Sequence, residues 1–228
     1  LEELTKLLVK HFARRQNLDC LPDQITKTEF LEALQVWNEG TSTSPSDINL
    51  GHYHALFCRH KYKEDSDEAE VFNKKREKLV QAQLALLNYS LKFSHSYKRW
   101  RTIVNVMILK EPGNNKIHRL RVIHIYEADY NLLLGIFWAR KLVPKGEKLG
   151  LFNKNCYGSR PGRSATDPVT LEELQVSIAC MSRTNQIIFH NDATSCYDRI
   201  IINLANLLAR RFGMSKELCR IHGDTLHR

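Results

Sequence analysis

Ile187-Ile188-Phe189-His190-Asn191-Asp192-Ala193-Thr194-Ser195-Cys196-Tyr197-Asp198-Arg199-Ile200 opens as an apolar run and then delivers a carboxylate. Ile187, Ile188 and Phe189 are β-branched or aromatic and follow polar residues 182–186. That pattern predicts a short buried strand with Asp192 at its C-terminal end. A hard cation such as Mg²⁺ takes oxygen ligands in a strict geometry, and a strand end offers one from packed backbone while leaving room for phosphates. The competing reading is local, because a carboxylate after a strand also serves as a helix N-cap or turn former. Spacing alone leaves both open.

Tyr157-Gly158-Ser159-Arg160-Pro161-Gly162-Arg163-Ser164-Ala165-Thr166-Asp167 lies upstream of Asp192. Before it come a Val- and Ile-rich run ending at Lys110, the turn Glu111-Pro112-Gly113-Asn114-Asn115, and Leu120-Arg121-Val122-Ile123. Earlier still is the polar loop Thr41-Ser42-Thr43-Ser44-Pro45-Ser46-Asp47. Asp192, Tyr197 and Asp198 resemble the first catalytic motif of reverse transcriptases, particularly those of non-LTR retrotransposons and group II introns. The upstream segments resemble, in the same order, the fingers-to-palm segment, the fingers hairpin and the loop that opens the domain.

The resemblance implies an α/β (α+β) fold: the fingers and an incomplete palm of a right-hand polymerase, with a helix-rich N-terminal part and an antiparallel hairpin. It implies RNA-templated DNA synthesis with an RNA template, a DNA primer and deoxynucleoside triphosphates as partners. Asp192 would be a catalytic metal ligand of a two-ion Mg²⁺ site. Tyr197 would sit against the nucleotide sugar, and Lys110 and Arg121 would reach the triphosphate, the arginine through its planar fork. Arg119 lies two residues from Arg121 on the same strand face and competes for that role. Arg160 and Arg163 would contact the template backbone.

Two features depart from the family pattern. Serine stands at position 159, where phenylalanine is the commonest residue, and the chain contains no Asp-Asp pair of the kind that supplies the remaining metal ligands. The expected metal site is therefore incomplete, and the chain reads as a piece of a longer polypeptide, inactive alone. Asp198 reads as a cap for the helix beginning at Arg199 and not as a ligand. An inactive remnant or domesticated RNA-binding module is one alternative. An RNA-dependent RNA polymerase is another, opposed by Tyr197.

Lys and Arg exceed Asp and Glu by 34 to 25 over 228 residues, a net charge of +9 that suits a polyanionic partner. The six cysteines show no Cys-x-x-Cys spacing, and no secretory leader precedes them, which together suggest reduced thiols in the nucleus or cytoplasm. No apolar run is long enough to span a membrane. His52, His54, Cys58 and His60 do not converge on an ideal helix and read as scattered polar positions and not as a zinc site.

Helices are expected over residues 4–12, from a Thr26–Glu29 capping box to Gly40, over 50–61 and over 67–93. The last carries an apolar stripe of Ala69, Phe72, Leu79, Ala82, Leu86 and Tyr89. Residues 102–109 and 119–125 read as a hairpin, and 129–143 as a buried helix. Residues 144–168, with four glycines and three prolines, read as irregular. Helices follow over 169–180, 200–212 and 215–226. The resulting organisation is an N-terminal helical extension (1–40), a fingers-like region (41–185) and the start of a palm (186–228).

Overall fold

The computed structural model describes residues 3, 6, 7, 10, 20–36, 45–48, 50–57, 66–158, 160–188 and 200–226. These residues form a helix-rich α+β structure with one two-stranded antiparallel sheet. They group into two compact units, one of residues 1–142 and 202–228, the other of residues 143–201.

In the first unit, helix α1 (Lys27–Gln35) starts at the expected reciprocal cap. The Glu29 N–H donates to Thr26 Oγ1 at 3.2 Å, and the Thr26 N–H donates to the Glu29 carboxylate at 2.9 Å. Burial would push the Glu29 carboxyl up, but the Thr26 donors and Lys141 hold it below its ordinary value. Phe30 of α1 meets Phe57 of α2 (Leu50–Phe57) edge-on, with ring centroids 5.5 Å apart.

Helix α3 (Asp67–Phe93) is capped by Ser66, whose hydroxyl accepts from the Ala69 N–H at 3.2 Å. Its first turn carries Asp67, Glu68 and Glu70, where the helix dipole favours anions. The buried face runs through Val80, Leu87 and Leu91, whereas Leu79, Leu86 and Tyr89 are exposed. Ala69 is buried as expected, but from Leu79 onward the expected stripe is displaced by one residue. Neighbouring apolar pairs, Leu79-Val80 and Leu86-Leu87, offer two faces about 100° apart, and packing selects one of them.

A 3₁₀ turn (Lys98–Arg101) leads into β1 (Val104–Leu109). After the loop and a second 3₁₀ turn (Ile117–Arg119), β2 (Leu120–Ile125) returns antiparallel, with Val104 opposite Ile125 and Leu109 opposite Leu120. Helix α4 (Ala128–Leu134) buries Tyr130, Leu132 and Leu133. It then widens into a π-helix (Gly135–Leu142) where a continuous α-helix was expected.

The wider turn places consecutive cations on α1. Arg140 donates to the Glu32 carbonyl at 2.8 Å, and Lys141, only 9% exposed, pairs with Glu29 at 2.9 Å above the Phe137 ring. Helices α7 (Ile202–Arg211) and α8 (Lys216–Leu226) close this unit and add Ala209, Leu218 and Ile221 to the same core as Phe30, Leu87, Trp100 and Phe137.

The second unit contains α5 (Val143–Lys148), an irregular stretch over 149–165, and α6 (Thr166–Ser182). Helix α6 includes Pro168 in its first turn, where the missing N–H costs nothing, so the irregular stretch is shorter at both ends than expected. Every residue of α6 escapes burial. Ile187 and Ile188 carry no strand assignment and are 78% and 39% exposed, unlike the buried strand expected there. Among the described residues no segment of this unit offers them a ladder.

Candidate functional site

Asp192, Tyr197 and Asp198 lie outside the described residues, as do Ser159, Cys58 and His60. Among the described residues no three His, Cys, Asp or Glu side chains gather to hold a metal. The two other groups of sequence-derived residues are described, one in each unit.

The β1–β2 register brings Lys110 and Arg121 onto one face. Ile108 stands opposite Arg121, and the Lys110 N–H donates to the Arg119 carbonyl at 3.2 Å, so Lys110 and Arg119 continue the ladder by one pair. Opposite residues of an antiparallel pair share a face. Lys110, Arg119 and Arg121 therefore stand together beside Val106, Ile108 and Ile123.

Arg119 and Arg121 differ in their partners. Arg119 sits in the 3₁₀ turn and pairs with Glu111 across the loop at 3.7 Å. Arg121 and Lys110 are exposed, and neither side chain makes a hydrogen bond or ion pair to the described residues. The result is a pair of cations on an extended, solvent-facing arm. Most of the strand residues beside them are apolar: Val106, Ile108, Ile123, Met107 and Leu109 are all exposed.

In the second unit the segment around Arg160 folds as a ring about its guanidinium. Arg160 Nε and Nη2 donate to the two oxygens of Glu147 at 2.5 and 2.8 Å, and Nη1 donates to the carbonyls of Asn153 and Cys156 at 2.7 and 2.8 Å. The side chain is 9% exposed and lies over the Phe152 ring. Phe152 in turn covers Gly146 so closely that a Cβ there would come within 2.6 Å of the ring.

The Arg163 N–H donates back to the Arg160 carbonyl at 3.2 Å, and Gly162 has φ +68°, the geometry of a Pro-Gly type II turn. Arg163 ends on the outside of that turn. Its guanidinium rests over the Tyr157 ring at 5.3 Å and, among the described residues, makes a single hydrogen bond of 3.4 Å, to the Lys154 carbonyl. The loop thus occupies Arg160 internally and leaves Arg163 available. Sequence reading treats the two arginines alike, because a one-dimensional motif carries no sign of which guanidinium is enclosed.

A second cluster went unnoticed in the sequence. Asp129, 1% exposed, accepts from Trp100 Nε1 at 2.9 Å and from Gln83 at 3.4 Å, and pairs with Arg99. Arg99 also reaches the buried carboxylate of Glu127 at 3.6 Å, which accepts from the Ser46 hydroxyl at 2.8 Å. Burial pushes the Asp129 carboxyl up, against the opposing pull of Arg99 and Trp100. Tyr53, packed against this cluster, is pushed up to about 12 by burial and by Asp129. The available signal was two carboxylates at the head of an apolar helix, where ionisable groups stay only with partners.

Fold and site together define a helix-rich α+β chain that presents cations on a hairpin and on a folded loop. Compared with known proteins, the chain matches no family model, no curated protein and no solved structure. Among the described residues no helix is long and apolar enough to cross a membrane.

Proposed function

We propose that this chain is the fingers and opening palm of a reverse transcriptase of the non-LTR retrotransposon or group II intron type. In a longer polypeptide it copies an RNA template into DNA from a primer, in the nucleus or cytoplasm. The single observation that supports this most is the hairpin register, which puts Lys110 and Arg121 on the same exposed face, diagonally across the two strands. Two neighbouring cations of this kind suit a triphosphate, the arginine as a fork and the lysine as a point charge. Beside it stands the order of the other segments, ending in Asp192-x-x-x-x-Tyr197.

On this reading Asp192 would hold Mg²⁺ together with the paired aspartates that the chain lacks, and the bound ions would supply charge stabilisation for phosphoryl transfer. Tyr197 lies beneath the incoming sugar and excludes a 2′-hydroxyl. Arg163 contacts template phosphate, and Arg160 shapes the loop that presents it. The chain alone does not extend a primer, because the other carboxylates that the two-ion site needs are missing from it.

A non-catalytic RNA-binding module is the second reading, supported by the absence of an Asp-Asp pair alongside exposed Arg163, Lys110 and Arg121. Primer extension separates the two. The first reading expects a polypeptide that joins this chain to a paired-aspartate motif to incorporate deoxynucleotides on an RNA template. The second expects binding without incorporation.

A further inference from the structure

The β1–β2 hairpin packs neither face against the core: β1 is exposed along its whole length, and β2 everywhere but its two ends. Strands of six residues at about 3.4 Å per residue put the tip about 20 Å from the root, so a swing of about 10° there carries the tip about 3 Å. Misplacement of that size is enough to spoil a bidentate contact. The direction of the hairpin is therefore set at its root.

At that root the incoming chain supplies Arg99 and Trp100, and the outgoing chain supplies Glu127 and Asp129. The outgoing carboxylates engage the incoming side chains directly: Asp129 accepts from Trp100 Nε1 at 2.9 Å and pairs with Arg99, and Glu127 forms an ion pair with Arg99 at 3.6 Å. An apolar root would stabilise the fold at least as well, since buried ion pairs seldom outperform well-packed hydrophobes. What an apolar root lacks is direction. Asp129 keeps its place although burial disfavours its charged form, so the cluster is retained at an electrostatic cost.

We propose that Arg99, Trp100, Glu127 and Asp129 form a charge clamp that fixes the angle of the hairpin and so positions Lys110 and Arg121 for their polyphosphate ligand. They are positioning residues and touch no substrate. The clamp itself is a statement about the hairpin; its use in gripping a polyphosphate rests on the function proposed above.

The test uses the full 228-residue chain with nitroxides attached through p-acetylphenylalanine at Asn115 in the hairpin loop and Lys78 on α3. Wild type gives one narrow inter-spin distance. Asp129→Asn, which keeps shape and loses charge, and Arg99→Lys, which keeps charge and loses the fork, each broaden or shift that distance while the circular-dichroism spectrum stays that of wild type. If one variant fails to fold, the other decides. A distribution as narrow and as placed as wild type in a folded variant overturns the clamp.

Calorimetric titration with sodium tripolyphosphate is the second readout. Both clamp variants bind it severalfold more weakly than wild type although Lys110 and Arg121 are untouched. Unchanged affinity in them overturns the positioning role. If wild type binds tripolyphosphate no better than Lys110→Ala or Arg121→Ala, the nucleotide reading of the hairpin fails, and the spin-label distances still decide the clamp.

Discussion

Arg163→Gln removes an exposed guanidinium, while Arg160→Gln removes one that the loop has already used. Arginine has five N–H donors, and Arg160 spends four of them on Glu147, Asn153 and Cys156. One remaining donor cannot grip a phosphate bidentately. Each phosphate neutralised on single-stranded RNA contributes a slope of about 0.7 in log affinity against log salt, about fivefold in affinity for each tenfold change in salt.

Filter binding of a single-stranded RNA from about 0.05 to 0.2 M salt, paired with amide exchange of the loop, then gives opposite signatures. Arg163→Gln lowers the slope by about 0.7, so its deficit against wild type shrinks about 2.6-fold across that range, while loop exchange stays as in wild type. Arg160→Gln leaves the slope unchanged and speeds exchange at the Leu151, Cys156 and Arg163 amides, whose acceptors lie within the ring. A slope loss of the same size in Arg160→Gln with unaltered exchange would refute the assignment of Arg160 to the loop.

Three further outcomes are expected. Asn206→Leu removes the partner of His222 Nδ1 (2.8 Å) and a donor to the Cys219 carbonyl (3.0 Å) between α7 and α8, costing about 2 kcal/mol in urea denaturation; a loss below about 0.5 kcal/mol contradicts it. Burial holds the His222 pKa below 6.5, so its neutral form belongs to the fold. The stability this contributes is complete above pH 6.5 and is lost as pH falls through the folded value, and His222→Gln removes that part of the acid limb in a melting-temperature series; superimposable profiles for wild type and variant reject it. Tyr197→Ala, in a polypeptide with a complete metal site, raises the ratio of ribo- to deoxynucleotide incorporation by relieving a clash at the sugar; an unaltered ratio in a folded variant removes the main argument against an RNA polymerase.

Much of the local structure was legible. Ser66 and the Thr26–Glu29 box start their helices where a short polar acceptor satisfies orphan N–H groups, and the Val- and Ile-rich runs on either side of Glu111-Pro112-Gly113 pair as read. What escaped reading depends on partners distant in the chain. Leu79 and Leu86 are as apolar as Val80 and Leu87, and only packing against α1 and α8 decides between the faces. The Asp129 cluster joins residues as far apart as Ser46 and Glu127, and no spacing rule links them. The π-helix from Gly135 has no periodic signature distinct from an α-helix, and the contacts its consecutive cations make with α1 are again remote in sequence. Of the candidate site, the alternation that unites Lys110 and Arg121 was readable, whereas the enclosure of Arg160 was not.

The most direct measurement is Mg²⁺-dependent primer extension on an RNA template by a polypeptide that carries this chain together with a paired-aspartate motif, run beside its Asp192→Asn variant, with RNA binding recorded for both. The account predicts template-directed deoxynucleotide incorporation that disappears in Asp192→Asn while RNA affinity stays near that of the unsubstituted protein, because the change removes a ligand charge and preserves shape. Undiminished synthesis by the variant would contradict it, as would loss of folding and RNA binding together, which would make Asp192 a structural carboxylate.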